Sequence, residues 1–107
     1  MVLTEFNTVG TGQLVIFVHG VGLDRFMWCP VVDELKQEFT CVTFDLLGHG
    51  QAPDIEGTVS IKKFTGRLLN LIEEFQPIKP ILVGFSLGAM VVKRFVIDNP
   101  NFVRGLV

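Results

Sequence analysis

The apolar run Pro80-Ile81-Leu82-Val83 passes directly into Gly84-Phe85-Ser86-Leu87-Gly88, and few backbones accept that order of residues. Ile81 to Val83 reads as a strand and Leu87 to Ile97 as a helix, ended by Asp98-Asn99-Pro100. Only Gly84 to Ser86 remain to turn one into the other. So sharp a turn strains the residue at its apex, and a side chain at either flank would crowd it. Glycine on both sides relieves the crowding.

The rest of the chain repeats this strand-then-helix rhythm. Leu14-Val15-Ile16-Phe17-Val18 is apolar on both faces and ends in the loop signal His19-Gly20-Val21-Gly22. Met27 to Phe39 follows, with Trp28, Val32, Leu35 and Phe39 near helical spacing and Pro30 in the first turn. Cys41 to Phe44 is a second strand, closed by Asp45-Leu46-Leu47-Gly48-His49-Gly50. Ser60 is placed to cap a second helix with the stripe Ile61, Phe64, Leu68, Leu71 or Ile72, and Phe75. Val103 to Val107 reads as the start of a further strand, and Met1 to Phe6 as an earlier one, turning through Gly10-Thr11-Gly12.

Strands alternating with helices through short connections demand right-handed crossovers and a parallel sheet. The expected fold is α/β, a parallel sheet with flanking helices, formed by residues 1–107 as at most one small domain. Apolar residues make up 49% of the chain and mean hydropathy is +0.49, as a sheet buried on both faces would require. In such sheets ligands bind beyond the carboxyl ends of the strands. The loops His19–Gly22, Asp45–Gly50 and Gly84–Gly88 all fall at that edge.

Other classes are poorly supported. A net charge of −2 makes no electrostatic case for nucleic acid or an anionic membrane. No segment approaches the ~20 apolar residues of a membrane span, and the N-terminus lacks the basic start of a secretory signal. Cys29 and Cys41 have no metal-ligand spacing and read as free thiols in a reducing cytoplasm. Gly10-Thr11-Gly12 precedes a strand instead of following it, and neither it nor Gly20-Val21-Gly22 has the third glycine of a dinucleotide loop. No metal or organic cofactor is expected.

A serine at the apex of a strained strand-to-helix turn is a nucleophile elbow. Ser86 would attack an acyl carbon once a base takes its proton; the plainer reading is a serine that caps the helix. The N–H of Leu87, at the helix N-terminus, would donate to the oxyanion of the tetrahedral intermediate.

The three motifs, in this order and spacing, resemble the α/β-hydrolase family over essentially the whole chain, but only the N-terminal half of its fold. The resemblance is nearest to the bacterial branch of small esterases, lactonases and carbon–carbon bond hydrolases. It implies that the second oxyanion donor is the N–H of Val21. It implies that His19, Gly20, Gly22, Asp45, Gly48, His49, Gly50, Gly84 and Gly88 are structural motif residues, with His19 and His49 shaping loops. The family order of nucleophile, acid and then histidine leaves the triad incomplete, since both histidines precede Ser86. Asp98 is about eleven residues, or ~17 Å, along the helix from the elbow. Asp24 is expected to cap the first helix.

The resulting expectation is the N-terminal part of a serine-dependent hydrolase of small ester-like substrates, weakly active alone, with an exposed sheet edge open to self-association. A non-enzymatic split product acting as an interaction module, and an acyltransferase or haloperoxidase relative, are the alternatives. Epoxide hydrolases and dehalogenases are disfavoured because they carry Asp where Ser86 stands.

Overall fold

The computed structural model describes residues 4–107. Strands β1 (Phe6–Val9), β2 (Gln13–Val18), β3 (Phe39–Phe44), β4 (Ile81–Gly84) and β5 (Gly105–Leu106) form one sheet in the order β1-β3-β2-β4-β5. Helices α1 (Cys29–Leu35), α2 (Ile61–Glu73) and α3 (Leu87–Asp98) flank it.

The β2 sequence explains both layers. Successive side chains on a strand point to opposite faces. Leu14, Ile16 and Val18 pack with Val42, Phe44 and Leu82 against Phe64, Leu68, Leu71 and Ile72 of α2 and Val91, Val92 and Phe95 of α3. Val15 and Phe17 face the other way, with Cys41 and Trp28, under Val32 and Leu35 of α1. β2 is thus the axis of the domain, and its carboxyl end delivers His19 to the rim.

Three expectations need correction. The sheet is mixed: β2, β3, β4 and β5 are parallel, but β1 pairs antiparallel with β3. The Gly10–Gly12 turn is too short for a crossover helix, so the chain simply reverses. Of the strand expected at Met1 to Phe6, residues 1–3 lie outside the described residues, and the observed strand begins at Phe6.

The first helix stops at Leu35, preceded by a 3-10 turn at Arg25–Trp28, and Phe39 opens β3 opposite Gln13. Phe39 still packs on the α1 face, which is why its spacing imitates a helical position. The turn at Gly10 and Gly12 closes on this segment. A Cβ at Gly10 would lie 2.3 Å from the Phe39 carbonyl oxygen, and one at Gly12 2.1 Å from that of Glu38. Ser60 occupies the N-cap position of α2 with extended backbone, but its side chain makes no capping bond.

Candidate active site

β4 ends at Gly84, the Phe85 N–H continues the ladder to the Val18 carbonyl at 3.1 Å, and α3 begins at Leu87. Ser86 between them takes φ 57°, ψ −117°, the single non-glycine residue with positive φ among the described residues. Such backbone costs about 1–3 kcal/mol and persists only where the surroundings impose it. The surroundings do impose it. A Cβ at Gly84 would stand 2.5 Å from the Gly88 carbonyl oxygen, and one at Gly88 2.1 Å from that of Val18. Helix and strand therefore meet backbone to backbone, with no space for any other residue.

The Ser86 side chain is exposed and makes no capping hydrogen bond, although Ser86 occupies the N-cap position. Its carbonyl accepts from Ala89 at 2.9 Å and from Met90 at 3.2 Å. The capping alternative thus has no bond to support it. Leu87 is the first residue of α3, where N–H groups have no intrahelical acceptor. Among the described residues, neither the Leu87 nor the Val21 N–H donates to a backbone carbonyl.

The loop after β2 is drawn over the elbow. A Cβ at Gly20 would lie 3.1 Å from Phe85 Cδ2 and 3.2 Å from Ser86 Cβ, so glycine allows the close approach. Gly22, with φ 75°, turns the chain away, and Leu23 N–H closes the turn on the Gly20 carbonyl at 3.2 Å. Val21, Ser86 and Leu87 line one open cavity of about 530 Å³, together with Gly48 and His49.

His19 ties two loops together. It is fully buried; Nδ1 donates to its neighbour's carbonyl at Gly20 (2.8 Å) and Nε2 accepts the Leu46 N–H at 3.0 Å. That pattern requires the neutral ring. Burial holds its pKa below the ordinary histidine value and His49 adds to that effect, while the bond to Gly20 opposes it. The His49 ring packs tilted against that of His19, with centroids 5.1 Å apart and planes at 56°, and its Nδ1 lies 3.0 Å from the Leu47 carbonyl.

Asp45 organises the third loop. Its buried carboxylate accepts from Arg25 N–H (2.8 Å), Nε (3.1 Å) and Nη2 (2.9 Å), and from the Gln51 N–H at 3.0 Å. Burial alone would raise its pKa, but the Arg25 and Gln51 bonds and the Arg25 charge outweigh it and hold the carboxyl below its usual range. Gly50 is required beside it, since a Cβ there would fall 2.4 Å from Asp45 Oδ2. Arg25 also pairs with Glu5 at 3.1 Å and donates to Asn7 Oδ1, and Arg67 Nε donates to the Asp45 carbonyl at 2.7 Å.

Arg25 is a residue that the sequence does not single out. The structure makes it a buried anchor joining β1 to the Asp45 loop, while its apolar neighbours Leu23 and Phe26 are exposed, so no local pattern signals it.

Asp24 Oδ1 accepts the Phe26 N–H at 2.9 Å and so caps the 3-10 turn. Asp98 is exposed at the opposite end of α3, bonded to Arg94 at 2.9 and 3.0 Å, and does not join the site. Cys29 is exposed and Cys41 buried, both as free thiols. Among the described residues no three acidic, histidine or cysteine side chains are grouped to hold a metal, and no helix is long and apolar enough to cross a membrane.

The family model described as "Alpha/beta hydrolase family" matches residues 15–107. The pimeloyl-[acyl-carrier protein] methyl ester esterase of Proteus mirabilis is 31% identical over 103 residues, covering 95% of this chain and 38% of that enzyme. A thermophilic esterase from Thermogutta terrifontis superposes with a TM-score of 0.88 at 33% identity, over 95% of this chain and 38% of that one. An epoxide hydrolase from Bacillus megaterium gives 0.87 at 25% identity, over 95% and 37%. The chain thus spans under two-fifths of the length of each.

Proposed function

Because the chain belongs to the alpha/beta hydrolase family, we propose that it carries the nucleophile-bearing part of a serine-dependent hydrolase of carboxylic esters, lactones or related bonds. Ser86 Oγ attacks the acyl carbon of a small-molecule substrate in the cavity above the elbow. The Leu87 and Val21 N–H groups receive the oxyanion; losing one such donor typically costs ~3 kcal/mol of transition-state stabilisation. The tetrahedral intermediate expels the alcohol to leave an acyl-enzyme, which water then hydrolyses. The likeness to esterases of Proteus and Thermogutta supports the ester class. The likeness to an epoxide hydrolase reflects shared architecture, and the serine at the apex favours acyl transfer.

A base must take the Ser86 proton. His19 has both ring nitrogens committed to backbone groups, and His49 Nδ1 faces a carbonyl. We therefore assign the triad histidine and acid to the length that the relatives have beyond this match. The observation that carries the reading is the strained, uncapped Ser86 beside the free Leu87 N–H.

Treating the 107-residue chain with a fluorophosphonate, followed by peptide mass mapping, tests it. With the base outside this chain, little or no modification is expected, and what forms should be confined to Ser86 and abolished by Ser86→Ala. An adduct on Ser60 instead of Ser86 overturns the nucleophile. Rapid stoichiometric reaction lost in Ser86→Ala keeps the nucleophile but overturns the external base, and turns attention to His49.

A further inference from the structure

Val21 carries a backbone donor that its own side chain does nothing to place. That side chain is 66% exposed, and the flanking Gly20 and Gly22 have none to pack. Between Gly20 and Trp28, Arg25 alone is buried. The position of the Val21 N–H is therefore set by what pins the two ends of the loop from His19 to Arg25.

Both pins land on one dipeptide. At the near end, His19 Nε2 accepts the Leu46 N–H at 3.0 Å while Nδ1 donates to the Gly20 carbonyl at 2.8 Å. At the far end, Arg25 grips the residue before Leu46. Its backbone N–H donates to Asp45 Oδ1 at 2.8 Å, and Nε and Nη2 donate to Oδ2 at 3.1 and 2.9 Å. A planar fork of two nitrogens on one carboxylate fixes direction as well as distance. Asp45 is itself held by the Gln51 N–H and, through its carbonyl, by Arg67 of α2. Both ends of the loop thus refer to the same rigid terminus of β3. Arg25 also ties this assembly to the first strand, through Asn7 of β1 and Glu5 just before it.

We propose that Arg25 is a positioning residue for the Val21 oxyanion donor, acting through Asp45. Such donors work within about 2.7–3.1 Å of the developing charge, and a displacement of about 1 Å can cost about 100-fold in rate. The inference rests on the reading of Ser86 as nucleophile and Val21 as donor.

A nuclear Overhauser effect between Gly20 Hα and Ser86 Hβ reports the seat of the loop on the elbow, because a Cβ at Gly20 would lie 3.2 Å from Ser86 Cβ. Arg25→Lys keeps the charge and gives up the fork, whereas Asn7→Ala loosens only the tie to β1. Scaled to the effect between the paired core residues Ile16 and Leu82, the Gly20–Ser86 signal should fall at least about twofold in Arg25→Lys. In Asn7→Ala it should keep its original strength. Equal loss in the two variants makes Arg25 a tie for β1 alone, and an undiminished signal in Arg25→Lys removes its hold on the loop; either result overturns the proposal.

If Arg25→Lys does not fold, warming the unsubstituted chain below its unfolding midpoint decides. The Arg25 Nε–H resonance, protected by its bond to Asp45, and the Gly20–Ser86 effect should fade together while the Ile16–Leu82 effect persists. A Gly20–Ser86 effect that outlasts the Nε–H resonance, or loss of both only as the core melts, overturns the proposal. Failure of the Ser86 reading shows separately, as a fluorophosphonate adduct on Ser60, and leaves these signals as they are.

Discussion

Two glycine-bearing loops stand side by side at the carboxyl edge of this sheet, and they treat their polar groups in opposite ways. In the Asp45 loop every oxygen of a buried carboxylate is satisfied by Arg25 and Gln51. At the elbow, Ser86 is strained, exposed and uncapped, and the Leu87 N–H is unpaired with backbone. Glycine serves both, but one glycine pair enforces strain while Gly50 lets a scaffold close on itself. Hydrogen-bonding capacity already used builds the rim; capacity held open is available to a substrate.

The comparison breaks most readily at Asp45. Asp45→Asn leaves the buried Arg25 guanidinium with only the exposed Glu5 as counter-charge, and stability in urea should fall by about 3–5 kcal/mol. A loss under 1 kcal/mol would show that the loop does not depend on this pair. Gly88→Ala should follow, at about 3 kcal/mol, because its Cβ meets the Val18 carbonyl oxygen and backbone yields poorly. At the apex the sign reverses. Ser86→Gly removes the strain and should raise stability by about 1–2 kcal/mol while abolishing fluorophosphonate labelling. A destabilised Ser86→Gly protein would mean that the side chain supports the fold after all.

The smallest effect concerns pH. The folded pKa of His19 lies below its unfolded value, near 6.5, so the unfolded chain takes up the proton first. Stability is therefore fully present above about pH 6.5 and declines as pH falls through the folded value. Asp45, also lowered, adds a second decline below about pH 4. Urea midpoints that stay level from pH 7.5 to 5 would remove His19 from this account; a fall there, with its imidazole still neutral by NMR, would sharpen it.

Much of the elbow was readable in advance. Ile81-Leu82-Val83 before Gly-x-Ser-x-Gly admits one backbone path, and the strand, the turn and α3 appear where those residues place them. The stripe on α2 was equally plain, since Phe64, Leu68, Leu71 and Ile72 all reach the core. Phe39 was misread because four residues from Leu35 fits a helix as well as it fits a strand returning to the same apolar face. Ser60 sits at its N-cap without bonding, since sequence specifies the position but not the rotamer.

The short-range properties of this chain are therefore local: apolar runs, glycine spacing and the serine at its apex follow from steric limits acting over a few residues. Arg25 beneath Asp45, β1 running antiparallel beside β3, and the loop at Gly20 drawn so near Ser86 that a Cβ there would lie 3.2 Å from it join residues 20 to 66 positions apart. Those pairings arise only when burial brings the strands into one sheet, because a buried charge or a backbone approach gains its meaning from what the fold sets opposite it.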